Sequence, residues 1–88
     1  MIEIESHFQY KKSMDKTLAD LSPSQFGRIQ SIRGNDTVSQ RLSELGFTPG
    51  QAVKVVRIAP LGDPMQIRIR GFSLALRRQE ACRVVVSV

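Results

Sequence analysis

The chain has 88 residues, 41% of them hydrophobic, which supports one small core and is too apolar for a disordered polymer. No apolar run approaches the ~20 residues of a membrane span, and MIEIESHFQY at the start is too polar for a signal peptide, so a cytoplasmic protein is expected. Thirteen basic residues against eight acidic give a net charge of +5, which favours nucleic acid, anionic headgroups or an acidic protein face as partner.

In chain order, Ile2, Ile4, Phe8 and Tyr10 alternate with polar residues, consistent with a strand or an arm, and residues 1–16 read as an N-terminal extension. The apolar turn segment from Thr17 to Ser24 offers Leu18 and Leu21 as core plugs. Gly27 to Arg33 reads as a strand with Ile29 inward, and the spacing to Ile32 breaks alternation, which predicts a bulge or a strand end. Gly34-Asn35-Asp36-Thr37 is a turn rich in helix N-cap residues.

Val38 to Leu45 fits a helix of about two turns, because Val38, Leu42 and Leu45 form one stripe at i, i+4 and i+7. Arg41 and Glu44 lie opposite, close enough to pair. Gly46 suits the left-handed position that ends a helix, letting Phe47 fold back onto Leu42 or Leu45. Pro49-Gly50 signals a tight turn into the strand Ala52 to Ala59.

Pro60-Leu61-Gly62-Asp63-Pro64 cannot be helical, yet it carries an apolar side chain that a solvated hairpin tip does not need. Met65 to Arg70 alternates cleanly, with Met65, Ile67 and Ile69 inward and Gln66, Arg68 and Arg70 outward. Beyond a bend at Gly71 the period repeats at Phe72, Leu74 and Leu76. A helical turn over 77–81 precedes a last strand with Val84, Val86 and Val88 on one face. Short strands, one or two short helices and tight turns predict an all-β domain, a small SH3-like β-barrel over residues 17–88.

The segments L-S-E-L-G-F-T-P-G, V-K-V-V-R-I-A-P-L-G-D-P and I-R-I-R-G-F-S-L-A-L-R-R-Q-E-A, in that order, resemble the FeoA family. These are small cytoplasmic accessory proteins of bacterial ferrous iron uptake, encoded with the membrane GTPase transporter FeoB. The resemblance covers about Thr17 to Val88. The same module forms the C-terminal domain of DtxR-type metal-dependent repressors, but no winged-helix segment precedes it here, so the stand-alone form is expected.

The resemblance implies binding rather than catalysis, with no cofactor, and a FeoB-like transporter as partner. Contact would fall on its cytoplasmic GTPase region or on its assembly, with the membrane reached only through that partner. The positions carrying the match are Leu42, Leu45, Gly46, Phe47, Pro49 and Gly50, together with Pro60, Leu61, Gly62, Asp63 and Pro64. A proline-bounded loop is pre-organised, so an exposed Leu61 or Met65 would serve as an apolar anchor. The competing reading places Leu42, Leu45 and Phe47 over an open end of the barrel core.

Other functions have thinner support. Arg41 or Arg57 is conceivable as an arginine inserted toward a partner's nucleotide. Nucleic-acid binding would draw on the basic surplus but lacks a stacking platform, since Phe72 shares the parity of Leu74 and is expected inside. His7 and Cys82 are single, and the acidic residues show no ligand spacing, so a metal site within one chain is not expected. Cys82 reads as a small core residue. Exposed strand edges would allow a homodimer.

Overall fold

Side-chain alternation builds most of the molecule, and the strands follow the pattern closely. The computed structural model describes residues 16–88. His7 and the alternation from Ile2 to Tyr10 lie outside the described residues. The elements are β1 (Lys16–Thr17), a 3-10 turn (Leu18–Asp20), β2 (Phe26–Ile32), α1 (Thr37–Glu44), β3 (Ala52–Ile58), β4 (Met65–Ile69), β5 (Phe72–Leu76), α2 (Arg78–Ala81) and β6 (Val84–Ser87). They form one sheet in the order β1-β6-β2-β3-β4-β5, antiparallel at each neighbouring pair. The result is a small SH3-like barrel that stays open, with β1 and β5 at the ends of the strand order.

The inward residues of the strands meet in a single core. Ile29, Val53, Val55, Met65, Ile67, Ile69, Leu76, Val84 and Val86 are buried there with Leu18 and Leu21, the expected plugs. The added strand, β1, is too short to show a period in sequence; Lys16 and Thr17 pair with Val86 and Val85. Val88 lies beyond β6 and is exposed, contrary to the shared face expected for it.

Two bulges decide which side chains face out. In β2 the register shifts between Ile29 and Ser31, close to the break that the spacing to Ile32 predicts. In β3 it shifts between Val55 and Arg57, so Arg57 rather than Val56 stands opposite Gln66. Strict alternation from Val53 and Val55 would have turned Arg57 into the core; the inserted Val56 turns it out.

Helix α1 begins at Asp36, whose Oδ1 accepts the Ser39 N–H at 3.1 Å, while the Ser39 Oγ accepts the Asp36 N–H at 2.9 Å. The Arg83 guanidinium closes on the same carboxylate with two bonds of 2.8 Å, tying the helix start to the approach to β6. Gly34 makes room for it: a Cβ there would lie 2.5 Å from the Arg83 Nη1. Arg83, with the Ser39 N–H, holds the Asp36 carboxyl well below the usual carboxylate range.

The helix ends as the sequence predicts. The Phe47 N–H donates to the Leu42 carbonyl at 3.1 Å and the Gly46 N–H to the Ser43 carbonyl at 3.0 Å, a double cap that needs Gly46 at φ 109°. A Cβ on Gly46 would also collide with the Arg70 Cδ at 2.7 Å. Phe47 is fully buried with Leu42. Arg41 pairs with Glu80 of α2 rather than with Glu44, because α2 presents its carboxylate across the gap between the helices.

These contacts set two expectations. Leu42→Ala should cost about 2–5 kcal/mol in denaturant melts, as for a buried leucine. Leu45→Ala, at the helix end and 36% exposed, should cost less than about 1.5 kcal/mol.

The Asp36–Arg83 pair predicts a pH effect of definite sign. A carboxyl whose folded pKa is depressed contributes stability above its unfolded value, and that contribution is lost as the pH falls through the folded value. Asp36→Asn should therefore be less stable than the parent at pH 7, with the gap closing progressively below about pH 4 in urea melts.

Candidate partner-binding surface

The loop after β3 is built by its own backbone bonds. The Gly62 N–H donates to the Ala59 carbonyl at 2.7 Å, and the Ala59 N–H donates to the Pro64 carbonyl at 3.1 Å. The Asp63–Pro64 peptide is cis. From outside, the Asp63 Oδ1 accepts the Arg78 N–H at 3.0 Å, and the Arg78 Nη1 donates to the Gly62 carbonyl at 3.4 Å. The loop is thus pinned to the start of α2 while its tip stays free.

Leu61 occupies that tip and is 96% exposed. Pro60, Asp63 and Pro64 are also exposed, and Gly62 is half-buried. A groove of about 420 Å³ lies on one side, bounded by Arg57, Ala59, Pro60, Pro64, Gln66, Ser73, Leu74 and Ala75. Another, of about 510 Å³, is bounded by Asp63, Arg77, Arg78, Gln79 and Cys82.

The residues that carry the family match do not form one surface. Leu42 and Phe47 are core residues with no exposed side-chain surface. Met65 is fully buried as the first inward residue of β4, so the expectation of an exposed Met65 anchor is corrected. Leu45 remains half-exposed, but it adjoins Gly46, where the Arg70 stem packs. Arg70 follows β4 at the end opposite Pro64. Among the matching residues, Pro49 and Gly50 are exposed in the turn before β3, and the longest run that faces solvent is Pro60, Leu61, Gly62, Asp63 and Pro64.

Other expectations also change. Phe72 is 43% exposed, because it opens the edge strand β5 and only β4 flanks it among the described residues. Cys82 is exposed because it caps α2 rather than entering the core. Phe26, 61% exposed, carries the Lys54 ammonium 5.3 Å from its ring centre. Starting the strand at Phe26 instead of Gly27 would have placed Phe26 on the outward parity of Arg28. Arg41 is held by Glu80, whereas Arg57 lines the first groove. No group of three or more His, Cys, Asp or Glu able to hold a metal occurs among the described residues. No described helix is long and apolar enough to cross a membrane.

The structure is an open SH3-like barrel that presents a pinned, exposed apolar loop beside two grooves. The FeoA domain model matches residues 16–88, and the chain belongs to the FeoA family. A FeoA-like protein from Clostridium acetobutylicum superposes with a TM-score of 0.79 at 28% identity, covering 84% of this chain and 86% of that one. FeoA from Stenotrophomonas maltophilia, a prokaryotic SH3 domain protein solved in complex with zinc, gives 0.74 at 36% identity, covering 82% and 89%.

The chain is also 32% identical over 71 residues to an Fe(2+) transport protein A/Fe(2+) transporter FeoB fusion protein of Porphyromonas gingivalis. That match takes in 81% of this chain and only 8% of the fusion protein's length.

Proposed function

We propose that this protein is a cytoplasmic accessory protein of FeoB-type ferrous iron uptake that acts by binding the transporter's cytoplasmic GTPase region or its assembly, without catalysis of its own. Membership of the FeoA family and the joining of the two named activities in the Porphyromonas gingivalis fusion protein support the pairing. The observation that carries the contact is Leu61. A leucine this exposed contributes nothing to the core, yet its backbone is fixed by the bonds at Ala59, Pro64 and Arg78. An apolar side chain on a fixed support loses little ordering entropy on docking.

Leu61→Ala separates binding from folding. Its denaturant midpoint should match the parent, with a stability change within about 0.5 kcal/mol, as for surface substitutions. Calorimetric titration into a soluble cytoplasmic fragment of a FeoB-type transporter should show affinity weakened by about 1 kcal/mol or more, roughly fivefold. Unchanged affinity in a folded variant would remove the loop from the interface.

A further inference from the structure

The outer face of the sheet carries one sign of charge. Strands β2 to β5 contain Arg28, Lys54, Arg57 and Arg68 and not one Asp or Glu. The register lines them up in rows that run to the sheet edge. Phe26, Lys54, Arg68 and Ser73 form one row; Arg57, Gln66 and Ala75 form the next. Lys54 stands directly opposite Arg68, a like-charge pairing that costs the fold stability. The acidic residues among those described are placed elsewhere: Asp36 with Arg83, Glu80 with Arg41, Asp63 on the Arg78 amide, Asp20 on the Thr17 amide and Glu44 at the end of α1.

Both rows end on a strand with an open side. Among the described residues β5 pairs only with β4, through a hairpin whose two turn residues, Arg70 and Gly71, have φ of 52° and 88°. In a two-residue hairpin the flanking pair, Ile69 and Phe72, exchanges backbone bonds, and the pattern alternates from there. The N–H and C=O groups of Ser73 and Ala75 therefore point to the open side. Edge strands are commonly blocked by a charge, a proline or a bulge. Strand β5, FSLAL, has no charged residue and no proline, and its register with β4 is unbroken. The groove of about 420 Å³ opens over Ser73 and Ala75, with Arg57 on its wall.

We propose that the β5 edge accepts an extended acidic polypeptide segment as an added strand, paired to the backbone of Ser73 and Ala75 with its carboxylates over Arg57 and Arg68. Main-chain bonds supply affinity in such strand addition, and the side chains on one face supply selectivity. This surface is separate from Leu61 and does not depend on which protein provides the strand. A second copy of the chain is the poorer occupant, since it would bring the same cations to the same face. Nucleic acid is also poorer, because the Lys54 ammonium already sits over the ring of Phe26, the aromatic side chain in these rows.

The test uses a fluorescein-labelled octapeptide of alternating valine and glutamate, its valine–lysine counterpart, and single-stranded oligo-dT as probes. The acidic peptide should bind saturably, the lysine peptide should not, and the Ser73 and Ala75 amides should gain hydrogen-exchange protection when the acidic peptide is present. Ala75→Pro removes one open-side N–H where an edge strand tolerates proline, and should weaken binding at least tenfold with an unchanged thermal melt. Arg57→Gln combined with Arg68→Gln should weaken it about tenfold and flatten its salt dependence, which keeps the test decisive if the proline variant does not fold.

Absence of saturable binding, or protection that misses Ser73 and Ala75, would overturn the proposal. So would oligo-dT binding more tightly than the acidic peptide, which would make the face a nucleic-acid surface. A dimer in sedimentation with both amides already protected would show the edge occupied by a second copy.

Discussion

Burial of Phe47 is the constraint on which the packing of helix α1 against the sheet depends. A two-turn helix has little stability alone, since nucleating it costs more than its few hydrogen bonds return. Helix α1 persists because Leu42 and Phe47 join the core of the sheet, and Phe47 reaches it only because Gly46 turns the chain back within one residue. The same glycine leaves space for the stem of Arg70 from the β4–β5 hairpin. A side chain at Gly46 would thus disturb the helix end, the hairpin and the core together.

The polar links do a different job. Asp36–Arg83 joins the start of α1 to the approach to β6, and Arg41–Glu80 joins α1 to α2. Exposed pairs of this kind contribute modestly to stability, so their effect lies mainly in fixing the helices relative to the sheet. Asp63 acts similarly through the Arg78 amide, securing the loop without drawing it into the core. The apolar tip at Leu61 is positioned by backbone and carboxylate bonds, and folding does not consume it. Leu61 can therefore be changed without cost to the core, whereas Leu42, Phe47 and Met65 cannot.

The basic surplus acquires a direction in the folded chain. In sequence it looks like charge on the solvated faces of several strands. In the sheet, Lys54, Arg57 and Arg68 are brought beside the uncharged edge strand β5. Net charge alone chose no partner class, whereas cations around an open strand edge suit an acidic segment that pairs through its backbone.

By itself the sequence determined what depends on neighbours along the chain. The alternation of Met65, Ile67 and Ile69, the stop at Gly46, the cap region around Asp36 and the turn at Pro49-Gly50 were all legible, because each rests on backbone geometry within a few residues. The three matching segments, in their order, carried the resemblance to the family. Only the tertiary structure decided which apolar residues remain outside. Met65 and Leu61 lie four residues apart, yet one is sealed under the sheet and the other stands in solvent. The bulge at Val56 turned Arg57 outward, and the position of β5 at the sheet edge left Phe72 half-exposed. Exposure depends on which strands pair and in what register, and those partners are distant in sequence.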